Sequence, residues 1–124
     1  MRRALCAAAV ALIPATATAQ TAFSGMELYR WCSSRGSEFE TGCRTYLLGV
    51  TEGLVLGQQL LQYHTVICLP TGITPPQMQL MVQKTARDHP EFLNQTSIAL
   101  VAKAIVDAYR CRPGQAPVYG QKPN

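Results

Sequence analysis

Beyond residue 24, apolar side chains recur at three- and four-residue spacings and no stretch alternates as a half-buried strand does, so the pattern predicts an all-α protein. Ser24-x2-Glu27 spells a capping box and opens a short helix carrying Leu28, Trp31 and Cys32, which Gly36 breaks. Ser37-x2-Glu40 spells a second box. After it, Phe39, Cys43, Tyr46, Leu47, Val50, Leu54 and Leu61 share one face of a long helix running to about Gln62. Residues 63–72 read as a loop closed by Pro70 and Gly72. Thr74-Pro75-Pro76-Gln77 then supplies an N-cap, a proline at the first helical position and a glutamine three residues after the cap. This third helix turns Met78, Met81, Val82 and Ala86 inward and stops at His89-Pro90, because the residue before proline avoids helical geometry. Asn94 or Thr96 caps a fourth helix whose stripe is Ile98, Val101, Ile105 and Tyr109, ending near Cys111. The expected architecture is a small up-down four-helix bundle.

The ends of the chain read differently. Met1-Arg2-Arg3 is a short basic segment, Ala4 to Ile13 is an apolar run too short to span a bilayer, and Ala17-Thr18-Ala19 after Pro14 fits a cleavage site. Residues 1–19 are therefore predicted to be a signal peptide, with Gln20 as the first mature residue. A buried N-terminal helix is the competing reading, but two arginines abut the apolar run and no cap precedes it. Cys6 lies within the run, whereas a lipid-anchoring cysteine would have to follow it, so the mature protein is expected to be soluble and periplasmic with no membrane anchor. The helical domain is placed at residues 20–111. Residues 112–124 are rich in proline and glycine and read as a disordered tail.

With 48% hydrophobic and 15% charged residues the chain can build a packed core, and with aromatics at only 7% that core must be aliphatic. The net charge of +4 includes Arg2 and Arg3 of the leader, and Lys and Arg cluster nowhere else, which argues against a nucleic-acid partner. Four cysteines follow the leader, Cys32, Cys43, Cys68 and Cys111. In an exported domain they read as two disulfides with three possible connectivities. No Cys-x2-Cys pair exists, and His64-x3-Cys68 lacks a partner pair, so no metal site is expected. If successive helices are antiparallel, the end of the first helix meets the start of the second, and the start of the third meets the end of the fourth. That topology selects Cys32–Cys43 and Cys68–Cys111. Closing the longer loop is worth about 4 kcal/mol by chain-entropy arithmetic, a useful staple for a core this small.

Gly49, Gly53 and Gly57 recur every four residues along the second helix, and each glycine there costs about 1 kcal/mol relative to alanine. Two readings offset that cost. The first is close packing by the alanine-rich fourth helix, with Ala99, Ala102, Ala104 and Ala108; the second is a homodimer seam. Glu52, Gln58 and Gln59 interrupt the stretch, which excludes a membrane dimer motif. No nucleophile elbow, phosphate loop or His-Glu-x2-His occurs. Glu38, Glu40 and Glu52 could in principle supply a carboxylate pair for glycoside hydrolysis, but they read as solvated helix-face charges. No catalytic residue and no cofactor is assigned; the composition offers binding.

Four motifs in order carry a family resemblance: Cys43-x2-Tyr46-Leu47-x-Gly49-Val50-x-Glu52-Gly53, Cys68-Leu69-Pro70-x-Gly72-Ile73-Thr74-x2-Gln77, Arg87-Asp88-His89-Pro90-Glu91 and Tyr109-x-Cys111. Placed behind a signal peptide, they resemble the Rap/Tai family of type VI secretion immunity proteins, departing from it at Asn94-Gln95 and in the tail. The resemblance implies a periplasmic, all-helical, often dimeric protein that binds a peptidoglycan amidase effector. It also implies steric inhibition, with a protruding loop plugging the enzyme's cleft. The turn between the third and fourth helices is the expected plug, with Asp88, His89, Glu91, Phe92, Leu93, Asn94 and Gln95 as contact residues and Phe92 and Leu93 exposed at its tip, unless the turn tucks them beneath itself. The alternative is a periplasmic chaperone or small-ligand carrier on the same scaffold. Two histidines and seven acidic residues supply little of the titratable interface that an acid-activated chaperone needs.

Overall fold

The computed structural model describes residues 22–60 and 67–115, and these form four α-helices with no strand. They are α1 (Gly25–Ser33), α2 (Glu38–Leu60), α3 (Pro75–Asp88) and α4 (Ser97–Tyr109), with a 3-10 turn at Pro90–Asn94 between the last two. The predicted leader, Leu61 and the tail beyond residue 115 lie outside the described residues. The described start of the tail, expected to lack order, makes a turn in which Gln115 N–H donates to the Arg112 carbonyl and Gly114 takes a positive φ of 79°. Among the described residues no helix is long and apolar enough to cross a membrane.

Two of the three predicted capping boxes form as spelled. Ser24 Oγ accepts from Glu27 N–H while Glu27 accepts from Ser24 N–H, and Thr74 and Gln77 do the same at α3. At α2 the arrangement differs: Ser37 Oγ donates to the Ser34 carbonyl, and Glu40 accepts from Gly36 N–H at 2.7 Å, one residue short of the box. Gly36 adopts φ of 68°, a left-handed turn open to glycine at little cost, and this swings its N–H rather than that of Ser37 toward the carboxylate. Thr96, of the two candidates, caps α4.

The core is aliphatic, with Leu28, Leu47, Leu69, Val82, Leu100, Val101 and Ile105 essentially without exposure. It closes with both expected bridges: Cys32–Cys43, Cα atoms 5.2 Å apart, joins α1 to α2, and Cys68–Cys111, 4.9 Å apart, joins the approach to α3 to the exit from α4. Beside the second bridge, Ile67 and Arg110 form an antiparallel bridge and Cys68 N–H donates to the Tyr109 carbonyl. The Gln58 side chain also pairs both ways with the Ile67 backbone, fastening the last turns of α2 to the same place. Two residues of the expected inward stripes are outside: Phe39 is 47% and Ile98 53% exposed. Each is the second residue of its helix; Phe39 leans on Trp31 of α1, ring centroids 5.9 Å apart.

Candidate functional site

The connection from α3 to α4 is built by proline geometry at one end and by a clamp to α1 at the other. His89 ends α3 with φ −130° and ψ 67°, its N–H still donating to the Thr85 carbonyl. Pro90 then starts the 3-10 turn, closed by Phe92 N–H to the His89 carbonyl and by Gln95 N–H to the Phe92 carbonyl. From there the backbone runs beside the segment leading into α1. Gly25 N–H donates to the Gln95 carbonyl and Ser97 N–H to the Phe23 carbonyl, both at 2.8 Å, with Ser24 and Thr96 bridged between them. Gly25 permits this approach, because a Cβ there would collide with the Phe92 carbonyl oxygen. Tyr46 and Ser97 hydroxyls, 2.6 Å apart, tie α2 to the same corner.

The side chains of this turn divide into two sets. Phe92 and Leu93, expected as an exposed pair, are half-buried and pack against the core; their backbone is held against Gly25, which turns both side chains beneath it, and Phe92 meets the His89 ring edge-on at 6.3 Å. Asp88, Pro90, Glu91, Asn94 and Gln95 face solvent, with His89 half-buried. Asp88 pairs with Lys84 one turn back, and that hydrogen bond first of all holds its carboxyl below the ordinary aspartate range. The Glu91 carboxyl is lowered chiefly by its own backbone N–H and then by the His89 ring, 3.2 Å away. Both remain ionised at neutral pH. The turn therefore offers two ionised carboxylates and two primary amides on a hydrogen-bonded backbone: acceptors for cationic or N–H-bearing groups. Among the described residues no cluster of three or more His, Cys, Asp or Glu side chains is placed to hold a metal.

The glycines of α2 lie elsewhere. A Cβ at Gly49, Gly53 or Gly57 would meet nothing within 4 Å among the described residues, so close packing by α4, the first of the two readings, does not occur. The buried residues of α2, Leu47, Thr51 and Val55, lie on its other side, and the start of α4 meets α2 through the Tyr46 and Ser97 hydroxyls. The glycine face continues into Leu56 and Leu60, 53% and 72% exposed, and toward the α1 end into a shallow, mostly apolar depression at Thr45, Tyr46 and Val50.

A polar cluster at the α1–α2 turn carried no motif in the sequence. Gln79, only 6% exposed, donates to the Cys32 carbonyl and to Glu40 and accepts from Arg44 Nε. Glu40, read from sequence as a solvated charge, is the acceptor at the centre of this cluster. Glu38 and Glu52 are exposed as expected. The only available signal was position: Gln79 follows Met78 on the inward face of α3, where an amide is buried only if its hydrogen bonds are met.

Comparison with known families matches residues 24–111 to the sequence model of the Rap1a immunity proteins. Neither the curated proteins nor the solved structures contain a significant match to the chain.

Proposed function

Because the chain belongs to the Rap1a immunity protein family, we propose that it is exported by its leader to the periplasm. There it protects the cell by binding a peptidoglycan-cleaving amidase effector of a type VI secretion system and obstructing that enzyme's cleft. The observation that carries this reading is the double anchoring of residues 88–95, by Pro90 on one side and the Gly25 clamp on the other. A steric plug works best when its backbone is ordered before binding, since the entropy of ordering a loop otherwise subtracts from affinity. Asp88, Glu91, Asn94 and Gln95 are its contact groups, with His89 beside them, while Phe92 and Leu93 act from below as the wedge that keeps the turn raised. Obstruction asks for no catalytic group. The open glycine face of α2 is proposed as the homodimer seam, where missing side chains let a second backbone come near.

The test is an inhibition titration with the processed chain, whose intact mass should place Gln20 first with both disulfides closed. Added to a candidate peptidoglycan amidase effector, sought among the genes neighbouring its own, it should abolish peptidoglycan cleavage near equimolar ratio. Undiminished cleavage at a large excess overturns the reading.

A further inference from the structure

The turn between α1 and α2 and the first half of α3 enclose a cleft of about 320 Å³, lined by Arg35, Glu40, Arg44, Pro76, Gln79, Leu80 and Gln83. Its chemistry follows from how the cluster around Gln79 is satisfied. Glu40 accepts from Gly36 N–H, from Gln79 Nε2 and from Arg44 Nη2, the last at 2.8 Å, so the one carboxylate in the cleft already holds three donors. Arg44 is fixed through two atoms, Nε on Gln79 at 2.9 Å and Nη2 on Glu40. Its remaining N–H groups have no partner among the described residues, and the side chain keeps 41% exposure. Arg35, on the facing turn, makes no ion pair within 4 Å among the described residues. Two guanidinium groups thus face one carboxylate that is already occupied, beside an aliphatic wall of Pro76 and the 62% exposed Leu80.

We infer that this cleft binds a small organic carboxylate with a short aliphatic stem. A guanidinium held rigidly by second partners presents its free edge to a planar carboxylate with little further loss of side-chain entropy, and such charge-assisted bonds are the stronger class. Arg44 is the anchor, Arg35 the second cation, and Leu80 with Pro76 the seat for the stem. The volume sits at the lower end of small-molecule sites, which sets the size of the guest at a few carbons. Nothing in this assignment depends on the immunity reading, since the cleft involves none of residues 88–95.

Isocaproate is the probe, titrated at constant ionic strength while the Arg44 Nε–H, Gln79 amide and Gly36 N–H resonances of the processed protein are followed by NMR. Saturable shifts of all three are expected, with none from the neutral isostere isocaproamide. Arg35→Ala, at an exposed position, should weaken binding about tenfold, as loss of one charge-assisted contact does, and leave the melting temperature unchanged. Leu80→Ala should weaken isocaproate but not acetate. Shifts that grow linearly and equally with chloride, or an Arg35→Ala affinity equal to wild type, overturn the assignment.

Discussion

At the scale of single residues, Phe92 and Glu91 sit side by side yet belong to different jobs. Phe92 is half-buried against the core, so Phe92→Ala should lower stability by about 2 kcal/mol, less than the full cost of emptying a fully buried phenylalanine site. Glu91 is exposed, and its one ion pair among the described residues is with His89. Glu91→Lys should leave the denaturation midpoint within about 0.5 kcal/mol of wild type while weakening effector binding about tenfold through reversed charge. Urea melts paired with a binding titration check both, and equal stability losses would mean that the carboxylate, too, is structural. Glu40 gives a prediction in pH. Its carboxyl is held below the ordinary glutamate range, first by Gly36 N–H and then by Gln79. A depressed folded-state pKa stabilises above the unfolded value, and that contribution disappears as pH falls through the folded one. Glu40→Gln should therefore be the less stable protein at neutral pH, with the gap to wild type closing below the ordinary glutamate range. A gap independent of pH would assign the loss to geometry instead of charge.

At the scale of elements, what the sequence makes legible is whatever short-range chemistry decides. The boxes at Ser24 and Thr74 form because cap and partner lie three residues apart within one turn, and His89-Pro90 ends α3 because the clash is local. The turn at residues 90–95 was placed by the same logic. Its tilt was not, because the inward rotation of Phe92 and Leu93 is set by Gly25, remote in sequence but in contact through backbone atoms alone. Gln79 was invisible for a related reason: a polar residue on an inward face reads as a fault in the stripe until its partners at Cys32, Glu40 and Arg44 are in place. The glycine stripe could be found but not interpreted, since periodicity names a face without naming its neighbour. With no described neighbour within 4 Å of a Cβ built at these glycines, the seam reading makes a clear demand. Wild type should scatter light as a dimer, and Gly53→Leu, whose Cβ meets nothing within 4 Å among the described residues, should give a folded monomer with full helical signal. A wild-type particle of monomer mass at micromolar concentration would remove the seam, and Gly53→Ala would then raise stability by about 1 kcal/mol.

At the scale of the whole molecule, global stability and the shape of the proposed plug are held by different parts. The bridges span 11 and 43 residues of sequence, and neither joins a residue of the 88–96 connection. By chain-entropy arithmetic the longer one is worth about 4 kcal/mol and the shorter about 3 kcal/mol, so the double replacement of Cys68 and Cys111 by alanine should cost more than any surface change. Yet the clamp of Gly25 and Ser97 onto Gln95 and Phe23, which sets the height of the turn, remains in that variant. Gly25→Ala is the converse. The added methyl collides with the Phe92 carbonyl, and forcing the backbones apart costs about 1–3 kcal/mol, while moving the turn itself. The two variants should thus separate in opposite directions. The protein without the Cys68–Cys111 bridge, assayed below its lowered melting temperature, should still inhibit the effector near equimolar ratio, whereas Gly25→Ala, with the smaller thermal penalty, should show the larger loss of affinity. Calorimetric melts beside the same inhibition titration measure both axes. Affinity losses that simply follow the loss of stability across the two variants would mean that the turn is ordered by the molecule as a whole and not by its clamp.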